Sequence, residues 1–240
     1  MASQPIYQFY VKLNDFTPTI WRRFKISNHI SVARLAYTIM IMFEMKASHL
    51  FAVQVNSGEH LLHALPNTSY HAEAHALMAN VKTVYELPNF NDLYDNNAVL
   101  VENAAQTALR KALDAEGQTM QLNYDFGDDW WVTLTLEKII TDHETPGSHY
   151  PVILDGEGFG IIEDCGGSHG LKNLVEAFTQ KHGEDYEQFK TWLGVETFDI
   201  HAFDIDDLNF RIKKLPIIYK YIYEDQKPLT KRAIDLLERQ

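Results

Sequence analysis

A single cysteine, Cys165, stands among 240 residues, so no intramolecular disulfide forms and a zinc cage built on several cysteines is excluded. Long apolar runs are missing as well. No stretch approaches the roughly 18 consecutive apolar residues of a membrane-spanning helix, and the opening MASQPIYQFYVKL lacks the basic start and apolar run of a signal peptide. These absences lead to the expectation of a soluble, cytoplasmic protein with no membrane partner. Positive charge is scarce: 21 Lys and Arg face 33 Asp and Glu, a formal charge of -12. Such a balance repels nucleic acid over most of the surface and favours a protein or small-molecule partner instead. The triplet Asp125-Phe126-Gly127 invites a kinase reading, but neither a glycine-rich nucleotide loop with its strand lysine nor an HRD motif accompanies it. Internal repeats and low-complexity linkers are also missing.

What is present centres on residues 119–140, TMQLNYDFGDDWWVTLTLEKII. Met120, Leu122, Tyr124 and Phe126 alternate with polar residues, and so do Trp130, Val132, Leu134 and Leu136. Period two on both arms reads as paired strands, and Gly127, Asp128 and Asp129 supply the turn chemistry between them. The result is a hairpin with one apolar face, carrying Tyr124, Trp130 and Leu134, and an acidic tip.

Alternation recurs at Tyr7 to Leu13 and at Ile20 to Ile26, a second antiparallel hairpin in which Arg22 shares the apolar face with Ile20, Phe24 and Ile26. Ser31 is placed to cap a helix over 32–45, with Leu35, Ile39, Met42 and Phe43 on one stripe. Phe51, Val53 and Val55 return to strand. Residues 59–103, with four of the 11 histidines, read as a variable excursion with helical character near 70–80, and 104–115 (AAQTALRKALDA) as a good helix former. Beyond Ile140 runs a loop in which seven glycines fall between Gly147 and Gly170. Ser168 then offers a cap for a helix over 169–180, the aromatics from Tyr186 to Trp192 mark another, and Ile205, Leu208 and Ile212 a short third. The predicted fold is α+β: antiparallel hairpins and a mixed sheet packed against helices, helical toward the C-terminus. One domain is expected over 1–212, with a C-terminal helical extension over 213–240.

Four stretches together resemble a known family: TIWRRF at 19–24, HLFAVQV at 49–55, YDFGDDW at 124–130 and YPVILDGEGFGIIEDCGG at 150–167. In order and approximate spacing they are similar to the Ri-plasmid open-reading-frame-three-like family, whose members also occur as passenger proteins of insertion elements. The resemblance covers about residues 5–212. It implies an α+β domain of intertwined sheet and helices and no established activity. Members usually carry histidine two residues after the tryptophan of the acidic hairpin and two prolines before the Glu-Asp pair, where this chain has Val132 and Ile161-Ile162.

Two functional readings follow. In the first, a non-catalytic binding module presents the glycine loop and acidic hairpin as a recognition surface, with candidate residues Trp21, Arg22, Arg23, His49, Asp125, Asp128, Asp129, Trp130, Glu163, Asp164, Gly166 and Gly167. In the second, a metal-assisted hydrolase gathers these acids on a divalent cation such as Mg²⁺ or Mn²⁺, with Asp128, Glu163 and Asp164 as metal candidates and His49 completing the set. The bland alternative is that the acids cap turns and bond backbone amides. Likewise Arg22, Arg23 and Lys25, beside Trp21, suit a phosphate or a stacked base, or else pair with the surplus acids. His71 and His75 stand at i and i+4, a zinc-compatible spacing without a third ligand or HExxH order. Cys165 beside two glycines is a candidate nucleophile or a small buried hydrophobe.

Overall fold

The structure is a computed structural model that describes residues 5–58, 81–88, 99–141 and 145–237. Strands β1 (Ile6–Leu13) and β2 (Trp21–Ser27) form the first hairpin. Phe9, Val11, Phe24 and Ile26 are buried, while Tyr10, Trp21, Arg23 and Lys25 take the other face. Helix α1 (Val32–Met42) starts where Ser31 Oγ accepts from the Arg34 amide, the expected cap. Strands β3 (Phe51–Val55), β4 (Lys82–Glu86) and β5 (Val99–Asn103) follow, then a short α2 (Leu109–Ala112).

The central hairpin pairs β6 (Thr119–Tyr124) with β7 (Trp130–Ile140), Tyr124 opposite Trp130 and Met120 opposite Leu134. Tyr124, Trp130 and Leu134 are all buried, as the alternation predicts. Edge strand β8 (Val152–Glu157) precedes helices α3 (Gly167–Gln180), α4 (Glu184–Leu193), α5 (Ile205–Lys220) and α6 (Lys231–Leu237), with a π-helical turn (Tyr221–Asp225) extending α5. Among the described residues eight strands make one mixed sheet in the order β5-β4-β3-β6-β7-β1-β2-β8, in which only β4 and β5 run parallel. The fold is α+β. One hydrophobic core joins the inner face of the sheet to α1, α5 and the π-helical turn, and Tyr219, Tyr223 and Ala233 belong to it. Among the described residues no helix is long and apolar enough to cross a membrane.

Five local expectations are corrected. Residues 104–115 form no long helix: the amides of Val32 and Ala33 bond the carbonyls of Thr107 and Ala104, and the Leu109 amide bonds Ile30. Those ties to the start of α1 override alanine-rich propensity and leave four helical residues. The glycine loop contains β8, which pairs with β2 and whose free edge is blocked by Asn209, the side chain accepting from Ile153 N at 2.8 Å and donating to Ile153 O at 3.2 Å. Helix α3 begins at Gly167 after Gly166 in the left-handed region, with no side-chain cap from Ser168. The excursion over 59–103 supplies β4 and β5, and the helical character near 70–80 lies outside the described residues. The third C-terminal helix is longer than expected, since α5 runs unbroken across residue 212.

Candidate functional site

Three loops meet at one end of the sheet: 43–50 between α1 and β3, the hairpin tip 125–129, and 158–166 leading into α3. Asp125 closes β6 with φ 56°, a left-handed conformation that Asp tolerates better than most residues. Its amide donates to Leu50 O at 2.9 Å, and its Oδ1 accepts from Gly127 N at 3.0 Å. Asp129, also left-handed, accepts on Oδ1 from Asn123 Nδ2 and Trp131 Nε1, both at 2.8 Å. Asp128 Oδ2 accepts from Gly166 N at 3.1 Å. Gly167, at φ 69°, is where the tip docks: a Cβ there would collide with the Asp128 carbonyl oxygen, and the positive φ adds to the demand for glycine.

His49 sits in the cleft so formed. Its Nδ1 lies 3.5 Å from Asp125 Oδ2 and its Nε2 lies 3.3 Å from Asp164 Oδ1. The Asp125 side chain is 10% exposed, His49 27% and Asp164 70%, so the site has an inner wall and an open mouth. Nε2 is itself buried and, despite the 3.3 Å approach, lies off any hydrogen-bond direction. One ligand atom from each residue falls within 4.8 Å of the other two. Donors about 2.1 Å from one ion, at octahedral or tetrahedral angles, stand roughly 3.0–3.4 Å apart. The Nε2–Asp164 contact at 3.3 Å falls in that range, while Asp125 at 3.5 Å approaches the other ring nitrogen, Nδ1, and lies slightly outside it.

Glu163 lies beside the cluster but is already committed. Its carboxylate accepts from Lys46 N at 2.6 Å, from Ser48 Oγ and from the Tyr124 hydroxyl. Burial pushes the Tyr124 phenol well up, reinforced by Glu163 as hydrogen-bond acceptor and negative neighbour, so Tyr124 stays a donor. Burial, with the Asp128 charge next, pushes the Cys165 thiol up to about 12, which removes it as a thiolate nucleophile near neutral pH.

The remaining candidates fall elsewhere. Arg22 is fully buried and donates to the carbonyls of Met42, Trp21, Glu157, Gly158 and Phe159, tying β8 and the 158–161 turn to the end of α1. Arg23, on the outward face of β2, forms a bidentate pair with Glu137 at 2.8 and 2.9 Å, its guanidinium 5.5 Å from the rings of Tyr10 and Trp21. Trp130 is core. His49, Asp125 and Asp164 therefore converge, Asp128, Asp129, Glu163, Gly166 and Gly167 shape their surroundings, and Trp21, Arg22, Arg23 and Trp130 serve other parts of the fold. His71 and His75 lie outside the described residues. Ser48 and Lys46 carry no signal in the sequence, because their roles rest on a loop that turns back on itself, with Glu44 and Ala47 both at positive φ. Val132 and Ile161 are buried core residues, so this centre uses neither place where the resembling family carries histidine and proline.

Comparison with known proteins agrees with the architecture. The crystal structure of a protein of unknown function from Methanosarcina mazei Go1 superposes with a TM-score of 0.64 at 21% identity, covering 85% of this chain and 98% of that one. The uncharacterized protein y4hQ of Sinorhizobium fredii is 27% identical over 114 residues, which are 47% of this chain and 57% of that protein's length. Residues 5–207 match the profile of the plasmid pRiA4b ORF-3-like proteins, and the chain belongs to that family.

Proposed function

We propose that this chain is a binding module that works through a divalent cation held by His49, Asp125 and Asp164. The observation behind it is the buried His49 Nε2, left without a hydrogen bond 3.3 Å from Asp164 Oδ1, with Asp125 Oδ2 3.5 Å from the other ring nitrogen, Nδ1. Buried polar atoms are rarely left unmatched, and an ion at that point would satisfy all three side chains. One imidazole with two carboxylates suits Mn²⁺ or Zn²⁺ better than Mg²⁺, which prefers oxygen alone. Three protein donors leave coordination positions at the open mouth beside Asp164, where a carboxylate or phosphate of a small molecule or protein partner would bind. The lone cysteine goes with a reducing, cytoplasmic setting for that partner.

Hydrolysis assisted by the ion is the second reading, favoured by the same open positions. Against it stands Glu163, the neighbouring carboxylate best placed as a general base, whose oxygens are taken by three donors. Thermal unfolding of chelator-treated protein with Mg²⁺, Mn²⁺ and Zn²⁺, alongside metal analysis of the purified chain, tests both. A ligand that binds only the native state at 100 times its Kd stabilises by about 2.7 kcal/mol, so Mn²⁺ or Zn²⁺ is expected to raise Tm. Asp125→Asn and His49→Ala are expected to abolish the rise. Indifference of the wild-type protein to all three ions would sink the cation reading. Turnover of p-nitrophenyl phosphate that needs both the ion and Asp164 would replace the binding reading with the hydrolytic one.

A further inference from the structure

The loop that carries His49 is held from behind by a part of the chain that lies beyond the family-matched span of residues 5–207. Tyr219, on the last turn of α5, donates to Met45 O at 2.6 Å, and Tyr223, in the π-helical turn, donates to His49 O. Both rings are buried. Tyr223 is itself fixed by Tyr37, whose ring stacks on it at 5.6 Å with an interplanar angle of 5°, and by Phe51 at 5.2 Å edge-on. The wider turn brings Glu224 to the Tyr37 hydroxyl at 3.1 Å. A π-helical turn shifts every following side chain around the helix axis, and such turns recur at functional sites. Here the shift delivers Tyr223 to the one backbone carbonyl that shares its Cα with the candidate imidazole.

The geometry points to Tyr223 as a positioning residue for His49, so that the C-terminal stretch, through a single phenol, sets where the imidazole stands between Asp125 and Asp164. The inference rests on the cation reading above for its consequence, but its geometric content can be tested without an ion. A ring nitrogen must be held within a few tenths of an ångström of its coordination distance, and partners that orient a ligand typically change affinity by about 10- to 100-fold when removed. Tyr223 bonds the main chain of His49 rather than the ring, so the effect belongs at the lower end.

Tyr223→Phe keeps the ring among Tyr37 and Phe51 and removes only the hydroxyl. Tyr219→Phe removes the same kind of buried tyrosine-to-carbonyl bond four residues earlier in the loop, and so controls for a merely structural loss. The experiment measures Mn²⁺ and Zn²⁺ affinity by titration calorimetry and the His49 ring ¹⁵N shifts of the ion-free full-length protein by NMR. Tyr223→Phe is expected to weaken binding about tenfold and to move the His49 ring shifts, with Tyr219→Phe within twofold of wild type and its shifts unmoved. Equal effects of the two variants, or no effect of Tyr223→Phe on affinity and shifts, would overturn the inference. If the wild-type protein takes up neither ion, the cation reading falls by itself, and unmoved ring shifts in Tyr223→Phe would then reject the positioning role independently.

Discussion

Cys165 shows what burial decides that spacing does not. In the sequence, a cysteine followed by two glycines at a helix entrance admits an exposed nucleophile, although a small packed side chain is the commoner fate of a lone cysteine. In the fold it packs against the core, and desolvation pushes its thiol up to about 12, with the Asp128 charge adding to the shift. The folded pKa thus lies above the unfolded value of about 8.5, so the folded state holds the proton that the unfolded state gives up. The stabilising contribution is fully present below about pH 8.5 and is lost as pH rises toward 12. Thiol titration with a disulfide reagent in native buffer is expected to be slow at pH 8 and to stay slow at pH 9.5, speeding only with denaturant. Rapid labelling that follows an ordinary thiol titration would show that Cys165 is open to solvent. The acids tell the same story, because Asp125, Asp128 and Asp164 look alike in the sequence. Asp128 is spent on Gly166 N, while Asp125 keeps Oδ2 directed at His49, a distinction made by a hydrogen bond between residues 38 positions apart.

At the scale of elements, legibility followed exposure pattern. The two hairpins were readable because one face of each is buried and the other is not, so hydrophobicity alternates with the pleat. Strand β8 was not, because as an edge strand it buries only Ile153 fully and carries Asp155 and Gly156 in its middle. Strand β4 buries four successive residues, Thr83 to Glu86, which erases alternation altogether. The 104–115 segment failed in the opposite direction, since a strong local preference for helix was overruled by main-chain bonds to α1. The register of the central hairpin gives a direct test. Leu134 is fully buried opposite Met120, whereas Thr133 on the other face bonds Asn14 Oδ1 at 2.9 Å and is only half-buried. Leu134→Ala is expected to cost about 2–5 kcal/mol in urea unfolding. Thr133→Ala, which also gives up a longer bond accepted from Gln121 Nε2 at 3.4 Å, should cost much less, about 0.5–1.5 kcal/mol, the net value of a typical hydrogen bond. Equal losses would contradict the register, because a slip by one residue exchanges the faces.

For the whole molecule, the fold class was legible in the sequence, but the strand order was not. β1 pairs with β7 across more than a hundred residues, and β3 sits between β4 and β6, neighbours that no local pattern specifies. Net charge, by contrast, is a global property that the sequence states outright, and the structure sharpens its consequence. Of the densest basic run in the N-terminal half, Arg22 is buried on five carbonyls and Arg23 is neutralised by Glu137, which leaves Lys25. Lys213 and Lys214 are exposed on α5, but Asp204, Asp206 and Asp207 open the same helix. Affinity for duplex DNA comes from lysines and arginines that displace condensed counterions, and a formal charge of -12 opposes it. In a gel-shift titration with random-sequence duplex at about 0.1 M salt, where screening limits the reach of exposed charges to roughly 10 Å, no micromolar complex is expected. A micromolar complex that weakens steeply as salt is added would reveal a basic face assembled from cations distant in the sequence, and would move nucleic acid ahead of proteins and small anions as the partner of the cleft.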